Sequence, residues 1–280
     1  MVLEALIKKQ LKLKAGNNMS KKLCFVLGAG GSRGIAHIGF LQAMEENGIK
    51  PDCIVGCSMG SVVGAAYASG LPPKEMREIA EGLRSKDIID ISPALFSKKS
   101  LLSSVKMQKK IKQVLGDKQF KDLVIPFECV AVDLHRGKVV TLNEGSVEEA
   151  VRASSSIPTV FRPVIKDDME LVDGCVLLRV PVENAKHFNA DVVVAVDVLG
   201  DYRPHEVSKN IIEHALRVMD LVDSVNTKKY LKEHKPDILI KPNLGDMSQY
   251  KVEKIAFAYG QGYHSGLKYA DKIKALLKDK

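Results

Sequence analysis

Gly56-Cys57-Ser58-Met59-Gly60 sets a serine between two glycines in a GxSxG spacing, with a short apolar run before it and a small-residue stretch after it. In that setting Ser58 occupies a sharp strand-to-helix turn, and Gly56 and Gly60 form a nucleophile elbow without side-chain clashes. The turn exposes the serine oxygen at the carboxyl end of a sheet, beside a helix N-terminus whose dipole favours developing negative charge. The chemistry that suits this arrangement is acyl transfer through a serine ester. A glycine-rich turn can carry the same pattern by chance, so the reading rests on the flanking elements.

A second segment, Gly28-Ala29-Gly30-Gly31-Ser32-Arg33-Gly34, also lies between a strand-like run and a helical one. Acyl transfer needs backbone N–H donors aimed at the tetrahedral oxyanion, and glycines let a backbone come close enough to supply them. The competing reading is a dinucleotide fingerprint, with Asp52 about 20 residues further on. It fits poorly, because GxGxxG counted from Gly28 requires glycine where Arg33 stands. The third segment, Glu170-Leu171-Val172-Asp173-Gly174, ends a strand-like run in an acid. Such an aspartate is often a turn residue or cap, but Ser58 needs a base, and Asp173 has the right type and context. In a triad a histidine would take the proton and the acid would orient it. After Asp173 come His187, His205, His214, His234 and His264, none in a glycine-rich loop and most beside charged residues. Each is expected to face solvent, and sequence order leaves His37 and His135 open.

Taken together and in this order, the three segments resemble the patatin-like phospholipases. The stretches that carry the resemblance are Ala29–Gly34, Gly56–Gly60 and Asp173-Gly174, joined by Arg152-Ala-Ser-Ser-Ser-Ile-Pro158 and Phe161-Arg-Pro-Val164. It runs from about Lys22 to Leu199. The resemblance implies a three-layer α/β/α sandwich around a mostly parallel sheet, and a Ser58–Asp173 catalytic dyad without histidine. It further implies oxyanion donors at Gly30 and Gly31, in a loop that Gly28, Arg33 and Gly34 support. The implied substrate is a phospholipid or another acyl lipid, with no cofactor and no metal. Ala29 replaces the first glycine of the family's loop, and Cys175 follows Asp-Gly where the family has a second small residue. A catalytically silent lipid-binding or regulatory module on the same fold would carry the same segments. A dyad should also give a pH profile without the limb near 6.5 that a catalytic imidazole produces.

Elements able to hold these segments recur along the chain. Apolar runs predict strands at Leu23–Leu27, Asp52–Val55, Phe127–Asp133, Lys138–Leu142, Glu170–Val172, Asp191–Val198 and Asp237–Lys241. Helical periodicity covers Ile35–Asn47, Met59–Ser69, Lys74–Arg84, Leu101–Leu115, Glu206–Tyr230 and Tyr250–Lys278. Strands alternating with helices make an α/β chain with a mostly parallel sheet covered on both faces. Residues 1–19 differ. As a helix they would place Val2, Leu3, Leu6, Ile7, Leu11 and Leu13 on one side and Glu4, Lys8, Lys9 and Lys12 on the other. Such a basic amphipathic leader can lie in a membrane interface, leaving 20–280 as the hydrolase domain.

The 280 residues are 45% hydrophobic, which suits one α/β domain. No apolar run reaches the roughly 18 residues of a membrane span, and Lys8, Lys9, Lys12 and Lys14 interrupt any secretory h-region. Five cysteines without a CxxC pair argue against disulfides and zinc. A net charge of +8 favours anionic partners. With no Trp and 5% aromatic residues there are few platforms for stacking bases, so an anionic membrane surface is expected rather than nucleic acid. The expected location is the cytoplasm, peripheral at the inner face of the membrane; oligomeric state is not legible.

Overall fold

Apolar five-residue runs build the centre of the protein. The computed structural model describes residues 21–83, 105–203, 207–208 and 210–278. Strand β1 (Leu23–Leu27) is buried throughout and pairs in parallel with β2 (Cys53–Cys57) on one side and β7 (Val192–Val196) on the other. β3 (Phe127–Asp133) extends the parallel set beyond β2, and β8 (Ile238–Ile240) extends it beyond β7. Antiparallel strands finish one edge: β4 (Lys138–Leu142) and β6 (Met169–Asp173) both pair with β3, and β5 (Val164–Lys166) pairs with β6. The eight-stranded sheet therefore runs β5-β6-β3-β2-β1-β7-β8, with β4 joined at β3.

Period-two alternation sends the side chains of β1 to both faces, as a doubly covered strand requires. Leu23, Phe25 and Leu27 join the larger core, while Cys24 and Val26 join a smaller one on the opposite face. The larger core is filled from helices α1 (Ile35–Glu46), α2 (Met59–Ala68), α3 (Pro73–Glu81), α4 (Val105–Leu115) and α5 (Val147–Ser154). Helix α7 (Ile255–Lys278) crosses α1 so closely that Gly262 touches the Ala36 backbone. The smaller core takes the 3-10 segment Val182–Phe188, with Tyr230 and Leu231 from α6 (Ile211–Glu233). Three layers result, as expected.

The differences are local. Asp191 and Asp237 stand outside their strands because their carboxylates accept from the Lys22 and Val193 N–H groups as strand caps. Helix α6 starts at Ile211, where Asn210 accepts from the Glu213 N–H at 2.9 Å, and it continues to Glu233. α5 and β5 lie where the sequence pattern predicts no element. The leader 1–19, the first turn expected of α4 and His205 lie outside the described residues. Four cysteines are fully buried as small hydrophobes, and Cys175 is half-buried.

Candidate active site

Ser58 follows the last residue of β2 and caps α2, with φ 52° and ψ −124°. Non-glycine residues rarely adopt such angles, which cost on the order of 1–3 kcal/mol and persist where surrounding contacts enforce them. Here the contacts are visible. The Ser58 N–H donates to Ser154 Oγ at 3.0 Å, and that hydroxyl donates to the Val130 carbonyl at 2.7 Å. The Ser58 carbonyl accepts from the Ser61 N–H and, at 2.6 Å, from its hydroxyl. Gly60 lies against the backbone carbonyls of Leu27 and Gly28, so a side chain there would push the elbow off the end of β1.

Asp173 reaches Ser58 because β6 runs antiparallel to β3. Val130 of β3 pairs with Cys57, and the next residue, Ala131, pairs with Asp173. The chain distance of 115 residues closes to 2.6 Å between Ser58 Oγ, which donates, and Asp173 Oδ2. The other carboxylate oxygen accepts from the Cys175 N–H at 2.9 Å. Both side chains are buried, Asp173 with 3% of its surface exposed. Burial is the main cause that pushes the Asp173 carboxyl up to about 7; the two hydrogen bonds oppose it and the Asp223 charge adds to it. At neutral pH such a group exists in both forms, which suits proton exchange.

The glycine-rich segment borders the same space. Ala29, Gly30, Gly31, Ser58 and Asp173 line a cavity of about 200 Å³. Around them the N–H of Gly28 is held by the Val196 carbonyl, that of Ala29 by Arg179 and that of Ser32 by Gln249. Among the described residues no acceptor meets the N–H of Gly30 or Gly31. Gly30 sits against Val198 and Gly31, at φ 49°, against the Gln249 carbonyl, so neither tolerates a Cβ. Arg33 donates to the carbonyls of Met247, Leu199 and Gly245 at 2.7–3.1 Å and braces two stretches of chain, at 199 and 245–247, around the loop. Gly34 packs against Met59. The rest of the cavity is largely apolar, with Ile157, Pro158, Val176, Val218, Met219 and Val222 among its walls.

No histidine lines this cavity among the described residues. His135, His214 and His264 are exposed. His187 is exposed as well, but its Nδ1 meets the Glu128 carboxylate at 3.0 Å; His234 is half-buried and lies 3.2 Å from Glu183. His37 is completely buried, and its Nε2–H donates to the Gly28 carbonyl at 2.8 Å. Burial lowers its pKa to about 4, so it is a neutral brace of the glycine loop.

Two supporting features escape a motif search. Ser154 is one of three consecutive serines, and only the fold selects it as the acceptor for the elbow. Arg179, 4% exposed, donates to Asp223 at 2.7 Å and to Asp197 at 2.9 Å while its own carbonyl holds Ala29. This buried triad ties β7, the glycine loop and α6 together beside the cavity. Asp197 gave a signal, since an acid closing an apolar run needs a buried partner.

A family model described as patatin-like phospholipase matches residues 25–186. An uncharacterised NTE family protein of Mycobacterium tuberculosis is 35% identical over 188 residues, which cover 67% of this chain and 52% of that protein. A protein of Aspergillus fumigatus named lysophospholipase is 31% identical over 193 residues, 65% of this chain and 12% of that protein. The chain thus spans about half the length, or far less, of these relatives. Among solved structures, VipD of Legionella pneumophila superposes with a TM-score of 0.57 over 90% of this chain and 67% of its own, at 12% identity, a likeness of fold.

Proposed function

Because the chain belongs to the patatin-like phospholipase family, we propose that it hydrolyses the acyl esters of lipids, with Ser58 as nucleophile and Asp173 as its base. The observation that carries this reading is the 2.6 Å contact between Ser58 Oγ and Asp173 Oδ2 inside a largely apolar cavity. In the ionised form Asp173 accepts the Ser58 proton as Oγ bonds to the ester carbonyl carbon. The N–H groups of Gly30 and Gly31 stabilise the resulting oxyanion, where donors fixed in advance are worth most. Asp173 then returns the proton to the departing alcohol oxygen as the ester C–O bond breaks. Water attacks the acyl-enzyme in the second half, giving one proton to Asp173, which passes it back to Ser58 Oγ as the fatty acid leaves.

The name of the Aspergillus relative and the apolar walls support a lipid with one acyl chain in the cavity, a lysophospholipid before a neutral glyceride. Hydrolysis of phospholipids, lysophospholipids and glycerides should be compared for the wild type and Ser58→Ala. The variant should lose at least about 10³-fold on every substrate the wild type turns over. A fluorophosphonate should label Ser58. Label on another serine, or undiminished turnover by Ser58→Ala, would overturn the assignment.

A further inference from the structure

A helix on a soluble protein normally turns its apolar side inward and its polar side to water. Over its first four turns α6 largely reverses this. Its inward face includes Leu216, but also buried Asp223 and Thr227. Asp223 accepts from Arg179, and Asp220 accepts from Tyr250 Oη at 2.6 Å and Gln249 Nε2 at 2.8 Å. Its outward face carries Ile211, Val218, Leu221, Val222 and Val225, all exposed, Ile211 by 84% and Val225 by 61%, with exposed His214 as the polar residue among them in the first turn. At 3.6 residues per turn these five fall within an arc of about 100°. Isolated apolar residues on a surface are ordinary, whereas a continuous stripe marks a binding face. The polar inner contacts hold the helix in this orientation against the hydrophobic effect, which would roll the stripe inward.

Two observations indicate what covers the stripe. Val218 and Val222 also line the cavity that holds Ser58 and Asp173, so the exposed hydrocarbon is continuous with the cavity wall. Beyond Val225 the same side of the helix carries exposed Lys228, Lys229 and Lys232, against one acid, exposed Glu233, at its last residue. An apolar stripe followed by lysines matches a layer with hydrocarbon below anionic headgroups.

We propose that α6 is the element by which the protein docks on an anionic phospholipid surface. The stripe from Ile211 to Val225 enters the interface and delivers an acyl chain to the cavity, and the three lysines meet lipid phosphates. The inference rests on the lipid-ester reading of the site, but it concerns a surface outside the reacting groups and distinct from residues 1–19.

The test uses the full chain and vesicles of phosphatidylcholine with about one third phosphatidylglycerol. Leu221→Ser/Val225→Ser removes apolar surface without adding charge and touches neither reacting group. It should lower vesicle binding about tenfold, with a parallel loss on a long-chain ester held in the vesicle. Its turnover of a water-soluble short-chain ester should stay within about twofold, because the cavity is unaltered. Val225→Phe should strengthen vesicle binding, and Ser58→Ala should bind as the wild type does. Vesicle binding unchanged by both Leu221→Ser/Val225→Ser and Val225→Phe would overturn the docking proposal, whatever the ester assays show. So would a wild-type dimer that the double variant dissolves, since the stripe would then belong to a second copy. A wild type that hydrolyses no ester, yet loses vesicle binding in the double variant, would leave docking standing and sink the hydrolase reading.

Discussion

Gly174 passes β3 so closely that a Cβ there would lie 2.5 Å from the Val130 carbonyl oxygen and 3.0 Å from the sulfur of Cys57. Cys57 is the residue before Ser58, and Gly174 is the residue after Asp173. The bare backbone at 174 is therefore what allows the two strand ends to meet at hydrogen-bond distance. The nearest obstacle is backbone, which cannot swing aside as a side-chain tip can.

Gly174→Ala should accordingly lower kcat/KM on a soluble ester by about 10²-fold or more, since a displacement of about 1 Å in a reacting pair has that effect. Ser58 and Asp173 are both retained, so the loss would report position alone. Urea unfolding should show a destabilisation of about 1–3 kcal/mol from overpacking. Wild-type kinetics in this variant would count against the close approach.

Asp173→Asn separates activity from stability. Removing the proposed base should cost at least about 10³-fold in kcat, on the scale of losing a member of a catalytic triad. Stability should move the other way. Burial raises the folded-state pKa of Asp173 to about 7, above its ordinary value of 3.8. Below 3.8 the carboxyl is protonated in both states and costs nothing. Between the two values the unfolded chain releases the proton while the folded one keeps it, so the cost grows with pH and is complete above about 7. Asp173→Asn should therefore be more stable than the wild type at pH 8 by a few kcal/mol, with the advantage fading toward pH 4. Thermal melts across that range decide it.

Burial of Asp173 also shapes the pH profile. A dyad on an ordinary carboxylate would show no limb near 6.5, but burial brings Asp173 to about 7, into the range of an imidazole. kcat/KM should rise with pH through a limb near 7 and then level. Two measurements assign that limb. Ionisation of a carboxyl carries little enthalpy, so the midpoint should hardly move with temperature, whereas an imidazolium would shift it clearly. Beside burial, the Asp223 charge raises Asp173, so Asp223→Asn should move the limb to lower pH. A strongly temperature-dependent midpoint would point to a histidine.

Much of this site was legible because its signals are local. The apolar run of β1, the GxSxG turn and the Asp-Gly pair each occupy a handful of neighbouring residues, and the alternation of strand and helix orders them along one sheet. α5 had a local signal too, a serine three residues before a glutamate; Ser146 does accept from the Glu149 N–H, at 3.3 Å. β5 has three residues and exists only because β6 is beside it. Which serine of 154–156 supports the elbow depends on where β3 lies, which no periodicity encodes. Helix α6 is the instructive case. Its outward stripe would be turned inward by periodicity alone, and the buried Arg179–Asp223 pair, 44 residues apart in sequence, opposes that.

That pair supports the last prediction. Arg179 and Asp223 are both buried, and Asp197, wholly buried, completes the triad. Removing one member of such a group leaves an uncompensated charge out of water, whereas replacing the group with apolar residues can be neutral or better. Arg179→Met should be the worst single change, since it strands two carboxylates near Asp173; a loss of about 3–5 kcal/mol is expected. Asp223→Leu leaves Arg179 paired with Asp197 and should cost less. The combination Arg179→Met/Asp223→Leu/Asp197→Leu should recover most of the stability, because no buried charge is left without a partner. Activity should not recover with it. The triad sets the tilt of α6, and with it the cavity wall at Val218 and Val222, through directional bonds that leucine cannot supply. Chemical denaturation paired with kcat/KM on a soluble ester would separate the two effects. A triple variant that regained both stability and turnover would show that the triad only fills space.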